Sequence, residues 1–228
     1  MEYSFVCIDI ETTSQKPEKN EIIEIGCIYV VNGIKEATYH RVFKPQNKIP
    51  KFIYTLTGLN QKDIDSANGI EDSISEIQTF LKNHICVAHN ASFDMDILNR
   101  EFKRYGYPAL ENPVIDSQEL CKILLPDLHS HRQENLLRHY EIEQHHLHRA
   151  LDDADGLSKI MTCLLNEIEH CPKAIHALVK LKKHHEPYSE LFTKHNEKEF
   201  DTVTHLYHTD IPASSKIDKN SETPSLHE

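Results

Sequence analysis

The stretch FVCIDIETTSQ, residues 5–15, makes two demands that conflict. Phe5, Val6, Cys7, Ile8 and Ile10 form the apolar run of a buried strand, yet Asp9 and Glu11 sit inside it. Burying an ionised carboxylate without a partner costs several kcal/mol even after relaxation. Residues two apart in a strand share a face, about 6.5 Å apart along the chain, so the two acids project together. A strand end where both reach solvent would resolve the conflict, and so would a bound cation. The D-x-E spacing alone does not choose between them.

Further strands follow. IIEIGCIYVV at 22–31 and a run at 36–43 flank Asn32-Gly33, the dipeptide favoured in two-residue hairpins because both central residues need positive φ. An antiparallel meander is expected. The segment IPKFIYTLTGLNQKDI reads as a loop entering short helical turns. In GIEDSISEIQTFLKNH, Ile70, Ile74, Ile77, Phe80 and Leu81 fall on one helical face. ICVAH is a short buried strand, and NASFDMDILNREFKRYG a helix stopped by Gly106 and Pro108. PVIDSQELCKILL runs from strand into helix, RQENLLRHYEI is helical, and the loop EQHHLHRA leads into the long helix LDDADGLSKIMTCLLNEIE. A β-rich start followed by alternating strands and helices predicts an α/β fold with a mixed sheet covered by helices.

Composition narrows the function. With 25 Lys and Arg against 36 Asp and Glu, the chain carries a formal net charge of −11. That counts against a simple basic clamp on nucleic acid unless cations invert the field locally. The six cysteines show no C-x-x-C spacing, and Cys7, Cys27 and Cys86 lie in apolar runs, so reduced, buried thiols are expected. MEYSFVCIDIE is not a signal sequence, and no run is long enough to span a membrane. A cytoplasmic location is the expectation. After Pro172 the character changes: PKAIHALVKLKKHH is a basic amphipathic helix candidate, and from about Thr209 the chain reads as a disordered polar tail.

Helical phase sorts the remaining acids. Asp94 lies three, four and eight residues before Ile97, Leu98 and Phe102, on the apolar stripe, whereas Asp96 aligns with Arg100 and Lys103. Asp153 aligns with Leu157, Ile160, Met161 and Leu164, whereas Asp152 and Asp155 do not. An inward acid at a helix start can simply cap it. Four acids on apolar faces, Asp9, Glu11, Asp94 and Asp153, strain that explanation. Converging carboxylates repel unless divalent cations sit between them, and an all-oxygen set suits Mg²⁺ or Mn²⁺ rather than Zn²⁺.

DIETT, EIIEIG, LTGL, VAHNASFD and HRALDDA, in that order, resemble the DEDDh branch of the DnaQ-like 3′→5′ exonucleases, with the proofreading epsilon subunit of bacterial DNA polymerase III and stand-alone relatives nearest. The resemblance implies a ribonuclease H-like fold, with an exonuclease domain over 1–171, a basic helical extension over 172–208 and the tail over 209–228. It implies two ions, Mg²⁺ or Mn²⁺, held by Asp9, Glu11, Asp94 and Asp153, with His148 as general base on a mobile loop. It implies Thr12, Thr13, His89, Asn90 and Phe93 as substrate-binding residues. Ser14 departs from the Gly that many relatives carry after the two threonines. The implied activity is release of nucleoside monophosphates from 3′ ends. DNA is favoured by the epsilon-like VAHNASFD and HRALDDA, with RNA or short oligonucleotides as one alternative and a non-catalytic binding module as another. A DNA polymerase subunit is a further implied partner, and the sequence leaves the oligomeric state open. The other histidines near His148 (His129, His131, His139, His145 and His146) fit no zinc spacing, and most read as surface residues.

Helical phase makes a direct prediction. Asp94→Asn and Asp153→Asn lose most 3′-end hydrolysis, while Asp96→Asn and Asp152→Asn retain it. Equal losses across both pairs, measured as turnover of an end-labelled oligonucleotide, would remove phase as the criterion.

Overall fold

A computed structural model describes residues 3–14, 20–144 and 146–170. The expected 172–208 and 209–228 segments, and Cys171, lie outside the described residues. Three antiparallel strands open the fold: β1 (Ser4–Thr12), β2 (Ile22–Val31) and β3 (Ile34–Val42). Asn32 and Gly33 turn the β2–β3 hairpin with φ of 50° and 79°, as their side chains permit. The third strand starts two residues earlier than its β-branched run suggests, because the two-residue turn continues pairing to Ile34 opposite Val31.

Helices α1 (Lys51–Thr57), α2 (Gln61–Ser66) and α3 (Ile74–Leu81) follow. The apolar stripe expected on one helix from Ile70 is split: Ile70–Asp72 is a single 3₁₀ turn, and the α-helix begins only after Ser73. Ile70, Ile74, Ile77 and Leu81 are nevertheless all buried. Two short strands, β4 (Cys86–Ala88) and β5 (Val114–Asp116), are separated by α4 (Ala91–Arg104). Then come α5 (Ser117–Leu124), α6 (Gln133–His139) and α7 (Ala150–His170).

The sheet order is β3-β2-β1-β4-β5, with β4 parallel to β1 and β5 parallel to β4. Alternation along β1 divides the core. Phe5 and Cys7 face α7, packing with Leu157, Ile160, Met161 and Leu164. Val6, Ile8 and Ile10 face α3 and α4, packing with Ile74, Ile77, Ile97, Leu98 and Phe102. The same period aims Asp9 and Glu11 toward α7. The five described cysteines are free thiols, four of them buried. Among the described residues no helix is long and apolar enough to cross a membrane.

Gly26 decides how closely α7 approaches the sheet. It pairs with Asp9 in the ladder. A Cβ there would overlap the Ala150 carbonyl and the Leu151 nitrogen. The first turn of α7 therefore lies directly on the backbone of β2. Gly26→Ala must lift that turn, and overpacking of this kind costs about 1–3 kcal/mol. Thermal unfolding of Gly26→Ala at wild-type stability would show that the helix has room to spare.

Candidate active site

The acids converge as their phases require. Asp9, Glu11 and Asp153 each offer a carboxylate oxygen, and these oxygens lie within 4.8 Å of one another. Asp9 and Glu11 come from one face of β1, and Asp153 from the first turn of α7, which Gly26 admits. Asp94 approaches from the strand edge. β4 pairs with β1 only at Val6 and Cys7, so farther along β1 the edge is open. There the N–H of Ile10 donates to Asp94 Oδ1 at 3.2 Å. Asp94 is 5% exposed, whereas Asp96 is exposed.

The carboxylates perturb one another. Burial, then the charges of Asp94, Asp153 and Glu11, push Asp9 well above the usual carboxylate range. Burial and the neighbouring Asp153 and Glu24 push Glu11 up to about 8. Burial raises Asp94 to about 8, against the opposing hydrogen bond from Ile10. Asp153 is also raised by burial, although the Gln144 side chain and the nearby His148 draw it back. Oxygen donors that crowd and repel one another in this way fit a divalent cation, whose charge removes the repulsion. Asp9, Glu11 and Asp153 are the residues that could hold it, with Asp94 alongside. Among the described residues no histidine joins such a group.

The loop before α7 is tied down at several points. Gln144 Nε2 donates to Asp153 Oδ1 at 2.7 Å, and the Asp153 N–H donates to the Arg149 carbonyl at 2.8 Å. His148 has a φ of 60°, an uncommon conformation for a residue with a side chain. Its imidazole is close enough to Asp153 to lower that carboxyl. His146 pairs with Asp152 on the surface at 3.0 Å. His131 is partly buried: its Nε2 donates to the Leu125 carbonyl at 2.9 Å, and its own carbonyl accepts from His89 Nε2.

The remaining sequence candidates are distributed around this centre. β1 and β2 slip register between Glu11 and Thr12, a bulge that re-aims the strand end. Beyond it Thr12 Oγ1 donates to the Ser14 carbonyl, and Thr13 Oγ1 accepts from the Glu21 N–H. His89 has both ring nitrogens engaged inside the protein, Nδ1 with Ser117 Oγ at 2.9 Å and Nε2 with the His131 carbonyl at 2.7 Å. Asn90 is exposed at the start of α4 with a φ of 69°, its N–H donating to Asp116 Oδ1. Phe93 is partly buried against the α3–α4 core. Asp116 was not singled out in the sequence. It accepts from Asn90, Ala91 and Gln118 N–H groups and so joins the starts of α4 and α5. Glu24 and Arg149 were also missed as a pair, since they lie on separate elements.

Residues 6–161 match the family described as Exonuclease, of RNase T type. The chain belongs to that exonuclease family. It is 34% identical over 167 residues to a DNA polymerase III PolC-type protein of Oceanobacillus iheyensis, across 73% of this chain and 12% of that protein. A PolC-type protein of Halalkalibacterium halodurans is 34% identical over 161 residues, across 71% of this chain and 11% of its own length. The chain thus spans about an eighth of the relatives it matches. Its ribonuclease H-like fold is shared by Exonuclease X in complex with 5′-overhanging duplex DNA, at TM-score 0.58 and 22% identity, covering 72% of this chain and 92% of that one. The nuclease domain of 3′hExo, a DEDDh family member bound to rAMP, superposes at TM-score 0.63 and 19% identity, covering 72% and 93%. Escherichia coli Exonuclease I with a dT13 oligonucleotide gives TM-score 0.66 and 18% identity, covering 80% and 45%.

The raised carboxyls set a pH dependence in metal-free protein. The folded-state pKa of Glu11, about 8, lies above its ordinary 4.5. Between those values the native state holds a proton that the unfolded chain has lost, so stability is greatest at the acid end and falls as pH rises toward 8. In chelator, the Tm of the wild type should drop from about pH 5 to about pH 8, at roughly 2–4 °C per kcal/mol lost. Glu11→Gln should flatten the slope and raise the alkaline Tm, and Mg²⁺ should restore the wild type there. A wild-type Tm that rises or stays level over this window would contradict the carboxylate crowding.

Proposed function

We propose that this exonuclease releases nucleoside monophosphates from the 3′ ends of DNA by metal-assisted phosphodiester hydrolysis, in a proofreading-type role. The observation that carries the reading is the convergence of the Asp9, Glu11 and Asp153 oxygens within 4.8 Å, with Asp94 against the same strand. Such a set would hold two ions, Mg²⁺ or Mn²⁺. Bound there, they would supply charge neutralisation at the scissile phosphate and a lower pKa for the attacking water. The DNA assignment is supported by the DNA polymerase III PolC-type relatives at 34% identity.

The chain's own residues do the rest. Asp9, Glu11 and Asp153 form the acidic floor, and Asp94 fixes the strand edge through Ile10. His148, beside Asp153, takes the proton of the attacking water on an imidazole nitrogen, which can both accept and release a proton. Thr12, Thr13, Asn90 and Phe93 border the terminal nucleotide, and His89 braces the turn beneath them. The partners are nucleic-acid 3′ ends and, by likeness to the PolC-type proteins, a polymerase assembly. A cytoplasmic site of action accords with the free thiols.

The test is a digestion panel of end-labelled single-stranded DNA, duplex DNA with a mismatched 3′ end, and RNA, each with Mg²⁺ and with Mn²⁺. Stepwise shortening of DNA from its 3′ end, with RNA degraded more slowly, is expected. RNA as the faster substrate would overturn the DNA assignment while keeping the chemistry. His148→Ala should lower kcat roughly 10²–10⁴-fold, the usual contribution of a positioned acid–base group. An unchanged kcat would remove His148 from the reaction.

A further inference from the structure

Beside the acidic cluster lies a fifth carboxylate with a different fate. Glu24 stands opposite Glu11 in the β1–β2 ladder and is 0% exposed. Both of its oxygens are taken. Oε1 accepts from Arg149 Nη2 at 2.9 Å, Arg149 Nε at 3.1 Å and His40 Nε2 at 2.8 Å. Oε2 accepts from Arg149 Nε at 3.2 Å and from the Ala150 N–H at 3.2 Å. A carboxylate so enclosed by the chain's own donors is not available to a cation in the way Asp9 or Glu11 is.

Its main partner occupies a telling position. Arg149 directly follows His148 and directly precedes the first residue of α7. The guanidinium binds Glu24 through two nitrogens, a planar fork that holds orientation as well as distance. The Ala150 N–H is bound to the same carboxylate, so the chain is gripped on two successive residues. His148 itself sits in the left-handed region, with a φ of 60°. Non-glycine residues persist there only where their surroundings over-determine the backbone.

We propose that Glu24 and Arg149 are positioning residues for the hydrolysis: their buried ion pair fixes the backbone at Arg149 and thereby holds His148 beside Asp153. The inference rests on the reading of His148 as the base. Stability alone is a poor account of the pair, because a buried ion pair is often no more stabilising than apolar residues of the same volume. Geometry supplies the better account. Glu24 is two residues from Gly26, the point where α7 touches the sheet, so the pair fixes the loop where its helix begins. The cationic Arg149 also offsets the charge of Glu24, so this buried acid adds less repulsion to the four beside it.

The experiment is a cycle between the pair and the base, run on a short end-labelled DNA strand. Arg149→Lys keeps the charge and loses the fork. Glu24→Gln keeps the shape and loses the charge. In the wild-type background each should lower kcat roughly 10- to 100-fold, the scale for a mispositioned catalytic group. KM and Mn²⁺ affinity should stay within about twofold, since the acidic floor is untouched. In a His148→Ala background the same changes should alter kcat by less than about twofold, because the group they position is gone. Equal losses in both backgrounds, no loss in the wild-type background, or a lost Mn²⁺ site would overturn the inference. If His148→Ala is slow and the losses are additive, the base assignment stands and only the positioning role falls. If His148→Ala alone keeps wild-type kcat, the base assignment fails and the positioning role falls with it.

Discussion

Mutual repulsion among carboxylates held partly or wholly out of water is the constraint to which the rest of this structure answers. Among the described residues, Asp9, Glu11, Asp94 and Asp153 come together with little cationic compensation; burial raises all four, and neighbouring carboxylates add to the rise of Asp9 and Glu11. A protein interior tolerates such a cluster only if the packing around it forces the approach. Here the forcing elements are apolar. Phe5 and Cys7 alternate with the acids on β1 and seal against α7, while Val6, Ile8 and Ile10 seal the opposite face.

The treatment of charge differs sharply within a few ångströms. Glu24 is held below the usual carboxylate range: burial opposes this, but hydrogen bonds from His40, Arg149 and Ala150 outweigh it. Asp155, on the same helix as Asp153, is likewise satisfied, by Lys35 and Lys159. Among the described residues, the acids around the cluster are thus neutralised, while within the cluster burial still outweighs what Arg149, Gln144 and His148 offer Glu11 and Asp153. Selective compensation of this kind marks a site prepared for an external cation.

What could be read from the sequence was local. Helical period separates Asp94 from Asp96 because the neighbouring Ile97, Leu98 and Phe102 fix which face is buried, and strand period pairs Asp9 with Glu11. The hairpin at Asn32-Gly33 is equally local. What escaped depends on chain segments that meet only in space. Glu24 hides in the apolar run IIEIG, and nothing near it signals an arginine donor on another element. His89 reads as a substrate contact and His131 as one of a crowd of histidines, yet each ring is bound to a backbone carbonyl, that of His131 and that of Leu125. The split at Ser73 escaped because a 3₁₀ turn and an α-helix can present nearly the same apolar stripe. Gly26 could be seen as a glycine in a strand, but the helix that requires it is more than a hundred residues away.

That distance has a kinetic side. Asp9 belongs to the first strand and Asp153 to the last described helix, so the two charges meet only when the whole sheet is assembled. Contacts of such long sequence separation must meet the entropy of closing the intervening chain before they are rewarded. Where such a repulsion comes into force only after the transition state, it is felt in full in the native state alone. Interactions of that kind act on the unfolding rate and leave the folding rate almost untouched. A cation entering the cluster would not help this chain find its fold; it would slow the departure from it, lengthening the lifetime of the exonuclease once assembled.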